Sequence, residues 1–77
     1  MNPHKAAEVL SHVKHLYRAT PPPSDYPSAL MKAAYAAGVC VDYETATIVA
    51  NTFKAASPHK GTSAELLAAA FREAKQP

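Results

Sequence analysis

Asp42 to Ala56, DYETATIVANTFKAA, is the stretch that most narrows what this chain can become. Asp42 is a strong helix N-cap, because its carboxylate can accept from the unpaired amides of the first turn. Ser57-Pro58 closes the run, since proline disfavours helical geometry in the residue before it. At helical spacing Ala46, Ile48, Val49, Thr52, Phe53 and Ala56 cover one broad side, and Glu44, Thr47, Asn51 and Lys54 form a narrow strip opposite. So wide an apolar side calls for neighbours on more than one flank. The pattern predicts a central helix with the rest of the chain wrapped around it.

The remaining punctuation divides the chain into three more helices. Asn2 can cap the first, and Pro3 suits the first helical position, where a missing N–H costs nothing. Val9, Leu10, Val13, Leu16 and Tyr17 mark its buried face, and Thr20-Pro21-Pro22-Pro23 stops it with a stiff, extended spacer. The second helix starts near Ser24 or Asp25, with Leu30, Ala33, Ala34 and Ala37 near one side, and ends at Gly38, a natural left-handed residue. Val39-Cys40-Val41 follows as a short apolar bridge, too short to make a sheet. After the loop Ser57 to Gly61, Thr62-Ser63-Ala64-Glu65 has the form of a capping box. In the fourth helix Leu66, Leu67, Ala70, Phe71 and Ala74 form a stripe, while Glu65, Ala68, Arg72 and Lys75 face away; Gln76-Pro77 should fray. The expectation is one all-α domain over 1–77, a compact bundle or orthogonal array of four short helices at about 3–19, 25–37, 43–56 and 63–75.

A chain of 77 residues buries only about 60% of its unfolded surface. The core must come from Val9, Leu10, Val13, Leu16, Leu30, Ile48, Val49, Phe53, Leu66, Leu67 and Phe71. Net charge is +2 with two arginines, Arg18 and Arg72, which is no strong polyanion signal. Cys40 stands alone, so no internal disulfide forms and a reducing compartment is the simpler expectation. The polar start MNPHKAAEVLSH does not read as a signal peptide, and no run approaches a membrane span. A cytoplasmic protein without membrane contact is expected. The alanine excess suggests a GC-rich coding source such as bacteria and their phages.

Few residue groups point to chemistry. His4, Glu8, His12 and His15 share one helical face, a set that can hold zinc or nickel, but no closing ligand stands at a fixed spacing. A solvated face is the reading adopted, with no metal and no cofactor. Cys40 lies between two valines and reads as a buried structural thiol. No GxSxG elbow is present, and two glycines, Gly38 and Gly61, cannot build a phosphate-binding loop. Enzymatic activity is not expected.

The segment AYAAGV, Ala34 to Val39, resembles the turn of lac-repressor-type DNA-binding domains, with Ala34 and Gly38 at the places of that motif's alanine and turn glycine. YETATIVAN, Tyr43 to Asn51, resembles their recognition helix. The resemblance implies a divergent helix-turn-helix that binds DNA. The chain departs from it by two extra residues around Val41 and Asp42. It also puts Glu44, and no arginine, where phosphates and guanines are read; only Asn51 suits a base edge.

The leading expectation is therefore a small non-enzymatic protein-binding module acting as regulator, inhibitor or adaptor. On the second helix, Met31 and Tyr35 stand one turn apart on the side away from Leu30, with Lys32 beside them. Methionine and tyrosine are both enriched at interfaces. Met31, Lys32 and Tyr35 are the first candidate partner-binding residues, and His12 and His15 the second. Another protein is the expected partner, a homodimer the next candidate, and nucleic acid the weaker one.

Overall fold

The computed structural model describes residues 1–56 and 62–75. Within them the chain is all-α: α1 Pro3–Arg18, α2 Tyr26–Ala36, α3 Tyr43–Ala56 and α4 Ser63–Lys75. The stop at Ser57-Pro58, the loop to Gly61 with His59 and Lys60, the fraying of Gln76-Pro77, and the side-chain placements of Ala56 and Lys75 lie outside the described residues.

Each helix begins where a side chain can serve its free amides. Asn2 Oδ1 accepts from the Lys5 amide, Asp25 Oδ1 from Ser28 and Asp42 Oδ1 from Thr45, all at 2.8 Å. Thr62 Oγ1 accepts from the Glu65 amide at 3.1 Å, the hydroxyl half of the capping box. The end of α2 is equally defined. Val39 N–H donates to Ala34 O at 2.8 Å and Gly38 N–H to Tyr35 O at 3.0 Å, around Gly38 at φ 87°. This is a Schellman motif, which needs a left-handed residue at Gly38. The Lys5 ammonium adds a third bond there, donating to Ala37 O at 2.9 Å, where the helix dipole favours a cation. The long stem of Lys5 lies half-buried and its head reaches across to α2.

The helices form a ring. Among the described residues α1 packs on α2 and α4, and α3 packs on α2 and α4, while the backbones of neither diagonal pair come close. The prediction of a central α3 is thus corrected: no helix sits in the middle, and each has two neighbours and an outer face. The core at the centre of the ring is Ala6, Val9, Val13, Ala29, Leu30, Ala33, Ala37, Ala46, Val49, Ala50, Leu67, Ala68, Ala70 and Phe71. Most of these are alanines, so the helices come close and a few large side chains, Phe71, Leu30 and Leu67 foremost, fill the space between them.

Several expectations about burial change with this arrangement. Ile48 is 45% exposed, because α3 turns only Ala46, Val49, Ala50 and part of Phe53 toward its two neighbours. Ala68, predicted to face away, is buried, and Leu66 is only partly so: α4 is rotated from its most apolar stripe to bring its smallest residues into close approach. Tyr17 is also more exposed than expected. It leaves the core to stack on Tyr26, with ring centroids 6.4 Å apart and planes at 26°.

Candidate functional site

Six residues, Ala37 to Asp42, join α2 to α3, and they double back along α2. Their near end is fixed by the Gly38 turn. At the far end the Tyr43 hydroxyl donates to Asp25 Oδ2 at 2.7 Å, next to the opposite end of α2. Tyr26 and Pro27 at that same end line a cleft with Ala50, Asn51, Phe53 and Lys54. Thus α3 crosses the N-terminal end of α2 instead of lying beside it as a hairpin partner. A DNA-binding helix-turn-helix joins its helices by a turn of about three or four residues. Here the link is a strap that borders α2 on one side, through Met31, Lys32 and Tyr35, and reaches Ala74 of α4 on the other.

The strap makes the site. Cys40 and Val41 from the link meet Met31, Lys32 and Tyr35 from α2, enclosing an open groove of about 360 Å³. That is at the small end of the roughly 300–1,000 Å³ usual for ligand pockets. Met31 and Val41 are half-buried and pack against the core, so the floor is apolar and anchored. Tyr35, 76% exposed, and Lys32 stand at the rim. The buried-thiol reading of Cys40 is corrected here: Cys40 is exposed. Val39 and Val41 are both half-buried, and in a non-helical strap alternate residues point to opposite sides, so the residue between two inward valines points outward.

The second candidate set is not part of this groove. His15 is exposed on α1 with His4 and Glu8, while His12 is half-buried at the edge of that face. Glu8 is drawn to Lys5, 3.4 Å away. Among the described residues no group of three or more histidine, cysteine, aspartate or glutamate side chains is placed to hold a metal ion.

The electrostatics near the strap come from its fastenings. The Asp25 carboxyl is held below its ordinary range, first by the Tyr43 hydroxyl and then by Ser28. Asp42 is lowered by Thr45. Correspondingly the Tyr43 phenol is raised by its bond to Asp25, and Tyr26 is raised by burial and by the neighbouring Tyr17. These groups hold helix ends and the crossing of α3 over α2. No helix among the described residues is long and apolar enough to cross a membrane. Family models, curated proteins and solved structures give no match to this chain.

Two features of the site escaped the sequence. The Asp25–Tyr43 bond joins residues far apart in the chain, and neither residue type signals it. The outward turn of Cys40 had a signal in the Val-Cys-Val alternation, which reads as two inward valines and one outward cysteine.

Proposed function

We propose that this chain is a small non-enzymatic protein-binding module, a regulator, inhibitor or adaptor, that receives its partner on the outer face of α2. The observation that carries this reading is Tyr35: an aromatic side chain 76% exposed at the rim of a groove whose floor is apolar and tied to the core. Tyrosine offers a large rigid surface and a hydroxyl at low entropic cost, the combination found at interface hot spots. Met31 supplies an adaptable floor and Lys32 a cation at the edge. On α3 the surface stripe carries Glu44, Ile48 and Asn51, and Lys54 in the last turn is the single cation of that helix, so phosphates have little to meet.

The test is a matched capture experiment. The full chain and its Tyr35→Ala variant are immobilised at equal folded amounts, and protein recovery is compared with and without nuclease. A partner held by the full chain, resistant to nuclease and weakened in the variant by about 1–2 kcal/mol, is the expected result. Recovery that collapses with nuclease and falls steeply with salt would instead favour the helix-turn-helix alternative. Equal recovery by both chains would remove Tyr35 from the site.

A further inference from the structure

We propose that the outer face of α3 is a self-association surface, on which a second copy of this chain lays its own α3 antiparallel about a two-fold axis. The inference is independent of the α2 reading and shares no residue with that groove. Glu44, Ile48, Asn51 and Ala55 are all exposed, at intervals of four, three and four residues. That spacing draws one straight stripe down a helix, the geometry by which helices pair along a seam. Among the described residues the exposed large hydrophobic side chains are Tyr17, Tyr35, Tyr43 and Ile48, and of these Ile48 has no polar atom to offer water.

The charges choose both the occupant and its direction. Glu44 lies in the first turn of α3 and Lys54 in the last. A parallel pair would set glutamate against glutamate and lysine against lysine. An antiparallel pair sets Glu44 of each copy over Ala55 of the second copy, a residue small enough to admit it, with Lys54 on the flank of the stripe toward the Tyr26–Pro27 cleft as the cation in reach. Ile48 and Asn51 then fall at the two-fold axis, and the helix dipoles oppose. A self-complementary patch of this kind is what a two-fold dimer requires. The stripe from residue 44 to 55 is only about 16 Å long, so the buried area falls short of the roughly 1,200–2,000 Å² of a standard interface. The dimer is therefore weak and concentration-dependent. It would carry two copies of the α2 groove and bind a clustered partner with greater avidity.

Sedimentation equilibrium of the full chain from low micromolar to millimolar concentration tests this. The wild type should show a reversible dimer that weakens with salt. Glu44→Lys and Lys54→Glu should each weaken it by about tenfold or more, through like-charge contacts at both ends. The double reversal, or a mixture of the two single variants, should restore it. Ile48→Glu should abolish it while helical content stays at the wild-type level, since Ile48 is outside the core. A wild type that is monomeric throughout overturns the proposal. So does a dimer indifferent to both reversals and to Ile48→Glu, or single losses with no rescue in either the double variant or the mixture.

Discussion

On α2 the exposed large hydrophobic side chain is Tyr35, and on α3 the large exposed aliphatic one is Ile48. Both stand opposite a buried alanine-rich face, yet they differ in what water can do for them. Tyr35 keeps a hydroxyl in solvent and sits beside Met31 and the strap residue Val41, both half-buried against the core. Ile48 has neither a polar atom nor a strap. Its neighbours on the stripe, Glu44, Asn51 and Ala55, are exposed as well. The contrast teaches that exposure follows from the number of neighbours a helix has, while residue type decides what that exposure costs. In a ring of four, every helix keeps one face free, and α3 spends an isoleucine on its own.

The strongest way to break this comparison is to truncate side chains on both sides of the same helices. Leu30→Ala on α2 should cost about 2–5 kcal/mol, because its side chain is fully buried and the cavity it leaves cannot collapse easily between helices. Tyr35→Ala, on the other side of that helix, should stay within about 0.5 kcal/mol. On α3, Val49→Ala should cost clearly more than Ile48→Ala, although isoleucine loses more atoms. Chemical denaturation of the four variants is the measurement. An Ile48→Ala loss larger than that of Val49→Ala would show that α3 buries the opposite side in solution, and the outer-face reading of α3 would fall with it.

Next in size is the turn that starts the strap. Gly38 lies at φ 87°, and a Cβ placed there would meet no heavy atom within 4 Å. Gly38→Ala therefore isolates the backbone cost of a left-handed alanine, about 1–2 kcal/mol. Denaturation should show that loss. Exchange protection at the amides of Gly38 and Val39, which close the turn, should fall with it. A neutral variant would mean that the strap does not depend on its first fastening.

The parts of the fold that were legible are those governed by local chemistry. Asn2, Asp25, Asp42 and Thr62 cap helices because capping joins a side chain to an amide three residues on, and sequence shows that spacing directly. Gly38 is of the same kind. The inward faces of α1 and α2 could also be read, since Val9, Val13 and Leu30 recur with their neighbours at helical spacing. Ile48 and Ala68 could not. Periodicity reports which side of a helix is apolar, but the side that is buried depends on where its neighbours stand, and alanine carries too little hydrophobicity to announce a close contact. Met31, Lys32 and Tyr35 were placed together from helical spacing alone. The outward turn of Cys40 was written in the Val-Cys-Val alternation, but that the strap completes their groove required knowing that the chain doubles back.

The smallest effect is the most specific to the joint between the two regions, the bond from Tyr43 to Asp25. It should be visible at both ends of the pH scale. Asp25 is lowered from 3.8, first by this bond, so its contribution is complete above that value and is lost as pH falls through the lower folded value. Tyr43 is raised from 10.0 by the same bond, so its contribution is complete below that value and is lost as pH rises through the higher folded one. Both groups are at the surface, where water competes, so the change in each arm is slight. Tyr43→Phe should flatten the acid arm partially, because Ser28 still holds the Asp25 carboxylate, and should remove the Tyr43 part of the alkaline arm entirely. Tyr26, raised by burial, continues to titrate in both chains and cancels in the difference. If thermal melts of the two chains run parallel at acid and alkaline pH alike, the bond does not hold α3 across α2. The strap would then rest on the Gly38 turn and the half-buried Val39 and Val41 alone.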